Sequence, residues 1–144
     1  MDRSYTAVLV GVGNIGRALM ENFCFEQYGF TLRGAFDINP ELIGQEVHGV
    51  TVNNFSELEP VLEELQPDVA VLCVPKSMAN SIANEVAKAG VPAIWNFTNI
   101  ELQFEDEAPI IENIHFSDSL LTLGYYLAES MDEAVARAAR SSHT

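Results

Sequence analysis

Short, largely apolar runs recur along the chain, and amphipathic stretches separate them. The runs span residues 6–10, 32–36, 69–74 and 93–97. Apolar runs of this length are typical of strands that are buried on both faces of a parallel sheet. The intervening stretches predict helices that begin at Asn14, at a capping box of Ser56 and Glu59, and near Met78. This alternation predicts an α/β fold in which helices cover both faces of a parallel sheet.

The last third of the chain has a different pattern. Residues 101–107 are acidic and irregular, and residues 109–113 predict an edge strand. From residue 117 to about residue 140, apolar positions recur at helical spacing and predict a long C-terminal helix. We expect this helix to bury its apolar surface in a homodimer, although folding back on its own sheet is an alternative. The expected units are therefore a domain at 1–116 and a dimerisation helix with a polar tail at 117–144.

A glycine-rich turn joins the first apolar run to the first predicted helix. It comprises Gly11, Val12, Gly13, Asn14, Ile15 and Gly16. In this setting the first glycine permits a tight turn, the second admits a pyrophosphate to the backbone, and the third lets the helix pack closely on the sheet. The positive end of the helix dipole would face the phosphates. The turn predicts a dinucleotide site, and an ordinary strand-to-helix turn is the alternative.

A carboxylate follows the second apolar run at the spacing that dinucleotide sites use. Asp37 lies about 20 residues beyond Gly16 and can there accept hydrogen bonds from an adenosine ribose. It would also repel a 2′-phosphate, which favours NAD(H) over NADP(H). A cap of its own loop is the alternative role for Asp37. With the glycine turn, Asp37 predicts a Rossmann-like fold with NAD(H) as the cofactor.

Further contacts are expected where the other strands end, because ligands of open parallel sheets bind beyond the carboxyl ends of the strands. These residues are Ile38, Val74, Pro75, Asn96, Phe97 and Thr98. Val74 and Pro75 would flank the adenosine or the ribose, and residues 96–98 would approach the nicotinamide. Plain loop structure is the alternative for both segments.

Composition restricts the class of partner. The chain has 21 acidic and seven basic residues, with a formal net charge of −14, which opposes direct binding to nucleic acid. Cys24 and Cys73 match no metal-ligand or CxxC spacing, so we expect reduced core thiols and no metal. No export signal and no apolar run of about 18 residues is evident, so we expect a cytoplasmic protein without membrane contact.

Several of these motifs, taken in order, resemble a known family. Segments 10–19, 35–37, 48–50, 74–75, 96–97 and 123–127 are similar to the NAD(H)-binding domain of the redox-sensing transcriptional repressor Rex. The resemblance spans about residues 5–127. It implies a homodimer with C-terminal helices exchanged between subunits, and release from DNA when NADH replaces NAD+. Phe116, just before the predicted helix, would then reach the partner's cofactor.

The chain departs from the family pattern in three places. The winged-helix DNA-binding domain of the family does not precede the first strand. We expect a stand-alone paralogue that acts on itself or on a regulatory protein partner, and a truncated form of a longer protein is the alternative. Thr98 and Asn99 stand where the family often has Ala-Pro. His115 stands where an acidic residue is common before the phenylalanine.

The expected function is redox sensing without catalysis. A pocket lined by Phe97 and Phe116 would disfavour the charged ring of NAD+ by desolvation, so NADH should bind more tightly. A small NAD-dependent oxidoreductase is an alternative, disfavoured because the chain has no substrate domain and none of its histidines lies in a catalytic motif. A CoA-binding module is another alternative, which Asp37 disfavours because it would repel a 3′-phosphate.

Overall fold

A mostly parallel sheet is the centre of the structure, a computed structural model that describes residues 4–114 and residue 127. Its strands are β1 (Tyr5–Val10), β2 (Phe30–Asp37), β3 (Glu46–Val47), β4 (Val50–Asn54), β5 (Val69–Leu72), β6 (Ala93–Asn96) and β7 (Ile110–Asn113). Their order in the sheet is β3-β4-β2-β1-β5-β6-β7. Every neighbouring pair is parallel except β3 and β4. The four predicted buried strands and the edge strand are therefore confirmed.

Helices cover both faces of the sheet. They are α1 (Asn14–Asn22), α2 (Leu58–Leu65) and α3 (Lys76–Lys88). On one face, α2 and α3 pack Leu62 and Ile82 into a core with Val8 and Val10 of β1. On the other face α1 lies so close that a Cβ on Gly16 would be 3.4 Å from the Leu9 side chain. The predicted Rossmann-like fold is confirmed.

The apolar runs have a direct structural cause. Successive side chains of a strand point to opposite faces, and both faces of the central strands are covered where they are most deeply buried. In β1, Val8, Leu9 and Val10 are each 0% exposed, and residues 70–72 of β5 are nearly as deeply buried. Consecutive positions in these segments are therefore apolar, which removes the alternation that a half-exposed strand would show.

The second predicted helix begins differently from the sequence prediction. The Ser56 N–H donates to Oδ1 of Asn54 at 3.0 Å, and residues Phe55–Glu57 form a 3₁₀ turn before α2. The predicted capping box of Ser56 and Glu59 is thus wrong, because Asn54 supplies the side-chain cap one turn earlier. This helix ends at Leu65.

Residues 46–54 contain a hairpin formed by β3 and β4. His48 and Gly49 have φ angles of 50° and 83°, so the chain reverses between β3 and β4. Two successive positive φ angles are typical of the tight turns that join antiparallel strands. The hairpin lengthens the sheet beyond β2 at the edge opposite β7.

The two cysteines differ in their surroundings. Cys24 is exposed, so its assignment to the core is wrong: it precedes a 3₁₀ turn (Phe25–Tyr28) in which Phe25, not the thiol, is buried. Cys73 directly follows β5 and is partly buried. Burial raises the pKa of the Cys73 thiol from 9.0 to about 12 because the thiolate would lose its hydration.

An apolar groove of about 500 Å³ lies on the face of the sheet that carries α1. Phe23, Tyr28, Trp95 and Ile110 are among the residues that line it. Phe23 packs edge-on against Trp95 with ring centroids 5.7 Å apart, whereas Tyr28 and Ile110 are 66% and 73% exposed. Among residues 4–114, the part of this face around Tyr28 and Ile110 therefore has apolar surface that is open to solvent.

The predicted C-terminal helix, the boundary between 1–116 and 117–144, and Phe116 lie outside the described residues, apart from Leu127, which is helical and exposed. In the described part of the chain, no helix combines the length and the apolar character that crossing a bilayer requires.

Candidate dinucleotide site

A crevice forms where the order of the strands reverses. The chain leaves β1 through α1 to reach β2 on one side, and later returns through α2 to β5 on the other side. The ends of β1 and β5 are joined by a hydrogen bond of 2.8 Å from the Cys73 N–H to the Val10 carbonyl oxygen. In open parallel sheets, this reversal point is where ligands bind.

Two glycines of the turn are required by the backbone itself. Gly11 has a φ of +101°, and a Cβ there would lie 2.7 Å from the carbonyl oxygen of Cys73. A Cβ on Gly16 would overlap the carbonyl oxygen of Gly11. Both residues therefore allow the close approach of β1, α1 and the residue after β5, which is the role that the sequence assigned to the first and third glycines.

Gly13 is required by neither sterics nor backbone strain. It is exposed, its φ is −83°, and nothing lies within 4 Å of the position where its Cβ would be. It precedes α1, and its carbonyl oxygen accepts the N–H of Arg17 at 2.8 Å. The first N–H groups of an α-helix have no partner within the helix and can donate to an anion. The open space at Gly13 therefore lies next to suitable donors at the start of α1.

Asp37 ties the glycine turn to the end of β2. Its Oδ2 accepts the Val12 N–H at 2.7 Å, and its Oδ1 accepts the N–H groups of Ile38 and Asn39 at 2.6 and 3.1 Å. A carboxylate has about four acceptor positions, so one on Oδ2 is left for another donor such as a sugar hydroxyl. The loop-capping role and the ribose role of Asp37 are therefore compatible.

Apolar residues border the crevice at its adenosine side. Ile38 follows Asp37 and is 58% exposed, an unusual position for a large apolar side chain. After β5, Val74 is buried and Pro75 is exposed at the N-cap of α3. The structure thus places Ile38 and Pro75 at the ends of β2 and β5, on either side of the end of β1.

The residues at the end of β6 are buried and bonded to one another. Asn96 and Thr98 are 1% and 5% exposed, and the Thr98 hydroxyl donates to Oδ1 of Asn96 at 2.6 Å. Phe97 is 8% exposed and packs edge-on against Trp95, with ring centroids 4.6 Å apart. The predicted nicotinamide end is therefore a packed and hydrogen-bonded corner of the fold.

Asn113 is a participant that sequence reasoning missed. Its Oδ1 accepts Nδ2 of Asn96 at 2.8 Å, and the two residues are register partners in the β6–β7 ladder. The contact depends on how β7 pairs with β6 across a loop of irregular structure. No spacing along the chain could have indicated it.

Comparisons with known proteins agree with this geometry. The model of the CoA binding domain family matches residues 2–100. The redox-sensing transcriptional repressor Rex of Clostridium beijerinckii is 45% identical over 130 residues, which are 90% of this chain and 61% of that protein. The Rex protein of Caldanaerobacter subterraneus subsp. tengcongensis is 42% identical over 129 residues, which are 90% of this chain and 57% of that protein.

Solved structures of RSP, a Rex-family repressor, have the same fold. RSP in complex with β-NADH is 38% identical, with a TM-score of 0.75 over 93% of this chain and 65% of that chain. RSP in complex with β-NAD+ and operator DNA is 37% identical, with a TM-score of 0.76, and the match covers 95% of this chain and 63% of that chain. The chain thus spans less than two thirds of the length of these relatives. It belongs to the CoA binding domain family, and, as its motifs predicted, it is similar to the NAD(H)-binding domain of the Rex repressors.

Proposed function

We propose that this chain is a redox-sensing domain that binds NAD(H), responds to the ratio of NADH to NAD+ and catalyses no reaction. The observation that carries the proposal is the open space in front of Gly13, beside the start of α1 and Asp37. The complexes of RSP with β-NADH and β-NAD+ support it, because RSP has the same fold at 37–38% identity.

The proposed cofactor spans the crevice from β2 to β6. Its pyrophosphate lies over the turn of residues 11–16, where Gly13 leaves room and α1 supplies N–H groups. Asp37 accepts a ribose hydroxyl, and Ile38, Val74 and Pro75 flank the adenosine. The nicotinamide lies towards residues 96–98, with Phe116 of the partner subunit completing its pocket.

NADH is the ligand that we expect to bind more tightly. The oxidised nicotinamide ring carries a positive charge, and the reduced ring is neutral. Phe97 packs edge-on against Trp95, and we expect its ring to give this end of the crevice an apolar lining that would strip water from a charged ring. The desolvation penalty falls on NAD+ alone.

CoA is the second candidate ligand, because the matching family model is that of CoA binding domains. Its adenosine carries a 3′-phosphate, and three backbone N–H groups hold the Asp37 carboxylate in the crevice. A fixed carboxylate beside that phosphate is repulsive. The geometry therefore favours NAD(H).

Calorimetric titration of the whole chain with NADH, NAD+ and CoA tests the proposal. We expect binding of both dinucleotides, with NADH tighter, and weak or no binding of CoA. Asp37→Ala should weaken NADH at least about tenfold, because it removes a charged acceptor and frees the Val12 N–H. Tight binding of CoA without NADH would overturn the proposal, and equal affinities for NADH and NAD+ would refute the sensing mechanism.

The proposed assembly is a homodimer that forms through the segment 117–144 and works in the cytoplasm. The exposed apolar groove on the α1 face also favours association, since patches of this kind mark interaction sites. Signals would pass to a regulatory protein partner and not to DNA directly, given the net charge of −14. Light scattering coupled to gel filtration should give twice the mass of one chain, and a monomer at micromolar concentration would contradict this.

A further inference from the structure

A buried asparagine closes the β6 end of the crevice, and its side chain has no hydrogen-bonding capacity left. Its Nδ2 donates to the Ile100 carbonyl oxygen at 2.9 Å and to Oδ1 of Asn113 at 2.8 Å. Its Oδ1 accepts the N–H and the hydroxyl of Thr98 at 3.0 and 2.6 Å. A carboxamide has two donor protons and two acceptor lone pairs, so Asn96 is fully satisfied.

These bonds converge on the loop of residues 97–100. Thr98 and Ile100 are both held by the Asn96 side chain, and between them Asn99 has a φ of 62°. Left-handed backbone is uncommon for residues other than glycine, so the loop needs outside support to keep this shape. Asn96 supplies that support from inside the bend.

The same asparagine fixes the loop to the edge of the sheet. Asn113 of β7 anchors its Nδ2, and the Asn96 carbonyl oxygen accepts the Ile114 N–H at 3.0 Å. A ligand that donated to Oδ1 of Asn96 in place of the Thr98 N–H would leave that N–H unpaired. A ligand that accepted from Nδ2 in place of the Ile100 carbonyl oxygen would leave that oxygen unpaired. Both lie in a corner where Asn96 itself is 1% exposed, so the exchange would be unfavourable.

We propose that Asn96 is a positioning residue for the nicotinamide half of the cofactor, with Asn113 as its anchor on β7. It holds residues 97–100 in the shape that borders the crevice and makes no bond to the ligand through its side chain. This inference rests on the proposed NAD(H) site and deepens it. It also reassigns the Thr98 hydroxyl from ligand contact to loop support.

ADP-ribose separates the two halves of the cofactor, because it has the adenosine and pyrophosphate but no nicotinamide. In Asn113→Ala, which loses one of these hydrogen bonds, we expect NADH affinity to fall about tenfold, and in Asn96→Leu, which loses all four, at least as far, with ADP-ribose affinity unchanged in both. Asn113→Asp keeps an acceptor oxygen for Nδ2 and should restore NADH affinity. Titration calorimetry with both compounds gives the ratio for each variant.

Asn84→Ala is the matched control. Asn84 also makes three side-chain hydrogen bonds, one to the Asn80 carbonyl oxygen within α3 and two to residues 103 and 105 of the loop between β6 and β7. It should lower stability and leave the ratio of NADH to ADP-ribose affinity unchanged.

Three outcomes decide the matter. An unchanged ratio of NADH to ADP-ribose affinity in Asn113→Ala, whether both affinities fall equally or neither falls, would overturn the positioning role. If Asn96→Leu does not fold, the pair Asn113→Ala and Asn113→Asp gives the answer alone. Failure of the unaltered protein to bind either compound would instead refute the proposed function, and the inference with it.

Discussion

The three glycines of the turn have separable roles at the scale of single residues. Gly11 and Gly16 permit close contacts of backbone with backbone, whereas Gly13 faces open space. The spacing pattern alone would treat the three alike. The structure therefore distinguishes two glycines that the fold needs from a third that the fold does not need.

Gly13→Val should fold as the unaltered protein does and lose NADH binding. Its φ of −83° suits any residue, and the new side chain would occupy the proposed pyrophosphate position. Gly16→Ala should instead lower the melting temperature markedly, because its Cβ would overlap a main-chain oxygen. Thermal melts and NADH titrations of both variants test this contrast, and retained NADH affinity in Gly13→Val would place the pyrophosphate elsewhere.

The two cysteines should differ in reactivity towards a thiol reagent at pH 8. Cys24 is exposed and should react at once, whereas Cys73 has its pKa raised to about 12 and should react only after unfolding. The folded state holds the Cys73 proton more tightly than the unfolded state does. The free energy of unfolding should therefore be unaffected by this group below pH 9 and should fall as pH rises from 9 towards 12.

Cys73→Ala provides the control for both measurements. It should remove the slow-reacting thiol and make the alkaline loss of stability shallower in urea titrations at several pH values. Equal labelling rates for both thiols in the folded protein would contradict the burial of Cys73.

At the scale of elements, one face of α3 holds an irregular segment against the fold. Asn80 and Asn84 are four residues apart and accept the N–H groups of Gln103 and Glu105 at 2.8 and 3.0 Å. One turn further on, Lys88 pairs with Glu105 at 3.3 Å. These side chains supply the hydrogen bonds that a neighbouring strand would otherwise give to the loop. Residues 101–107 therefore keep a defined path without regular structure.

Asn84→Ala should destabilise the protein by about 1–3 kcal/mol, because three hydrogen bonds are lost and the Glu105 N–H loses its acceptor. The amide of Glu105 should then exchange with solvent much faster in hydrogen-exchange measurements. Lys88→Ala removes only an exposed ion pair and should cost no more than about 1 kcal/mol. An unchanged exchange rate at Glu105 in Asn84→Ala would contradict this role of α3.

The elements that sequence reasoning identified are those whose burial is uniform. Residues 7–10 of β1 and 70–72 of β5 are covered on both faces, so each of them is apolar. The start of α2 was misplaced because Asn54 and Ser56 are both good caps, and only the folded turn decides which one bonds. The hairpin of β3 and β4 could not be predicted from the sequence, because a strand of two residues is too short to show any period.

The site divides in the same way. The glycine turn and Asp37 are local motifs with a fixed spacing, so the sequence could predict them. The bond between Asn96 and Asn113 depends on the register of two strands that a long loop separates. Register of this kind is set by three-dimensional packing, which a single sequence does not display.

At the scale of the whole molecule, the net charge bears on whether this chain would bind nucleic acid by itself. The formal net charge is −14, with seven basic residues in the whole chain. Two of them, Arg17 and Lys88, are paired with Glu21 and Glu105. Binding to DNA gains most of its free energy when basic side chains replace condensed counterions, and this chain has few to offer.

The chain alone should therefore show no affinity for double-stranded DNA. Fluorescence anisotropy of a labelled duplex should stay unchanged up to tens of micromolar protein, with or without NADH, even at low salt where electrostatic binding is strongest. RSP, whose complex with operator DNA is solved, is the positive control. Binding that weakens steeply as salt is added would show that phosphate contacts exist despite the net charge, and would make DNA a direct partner of this chain.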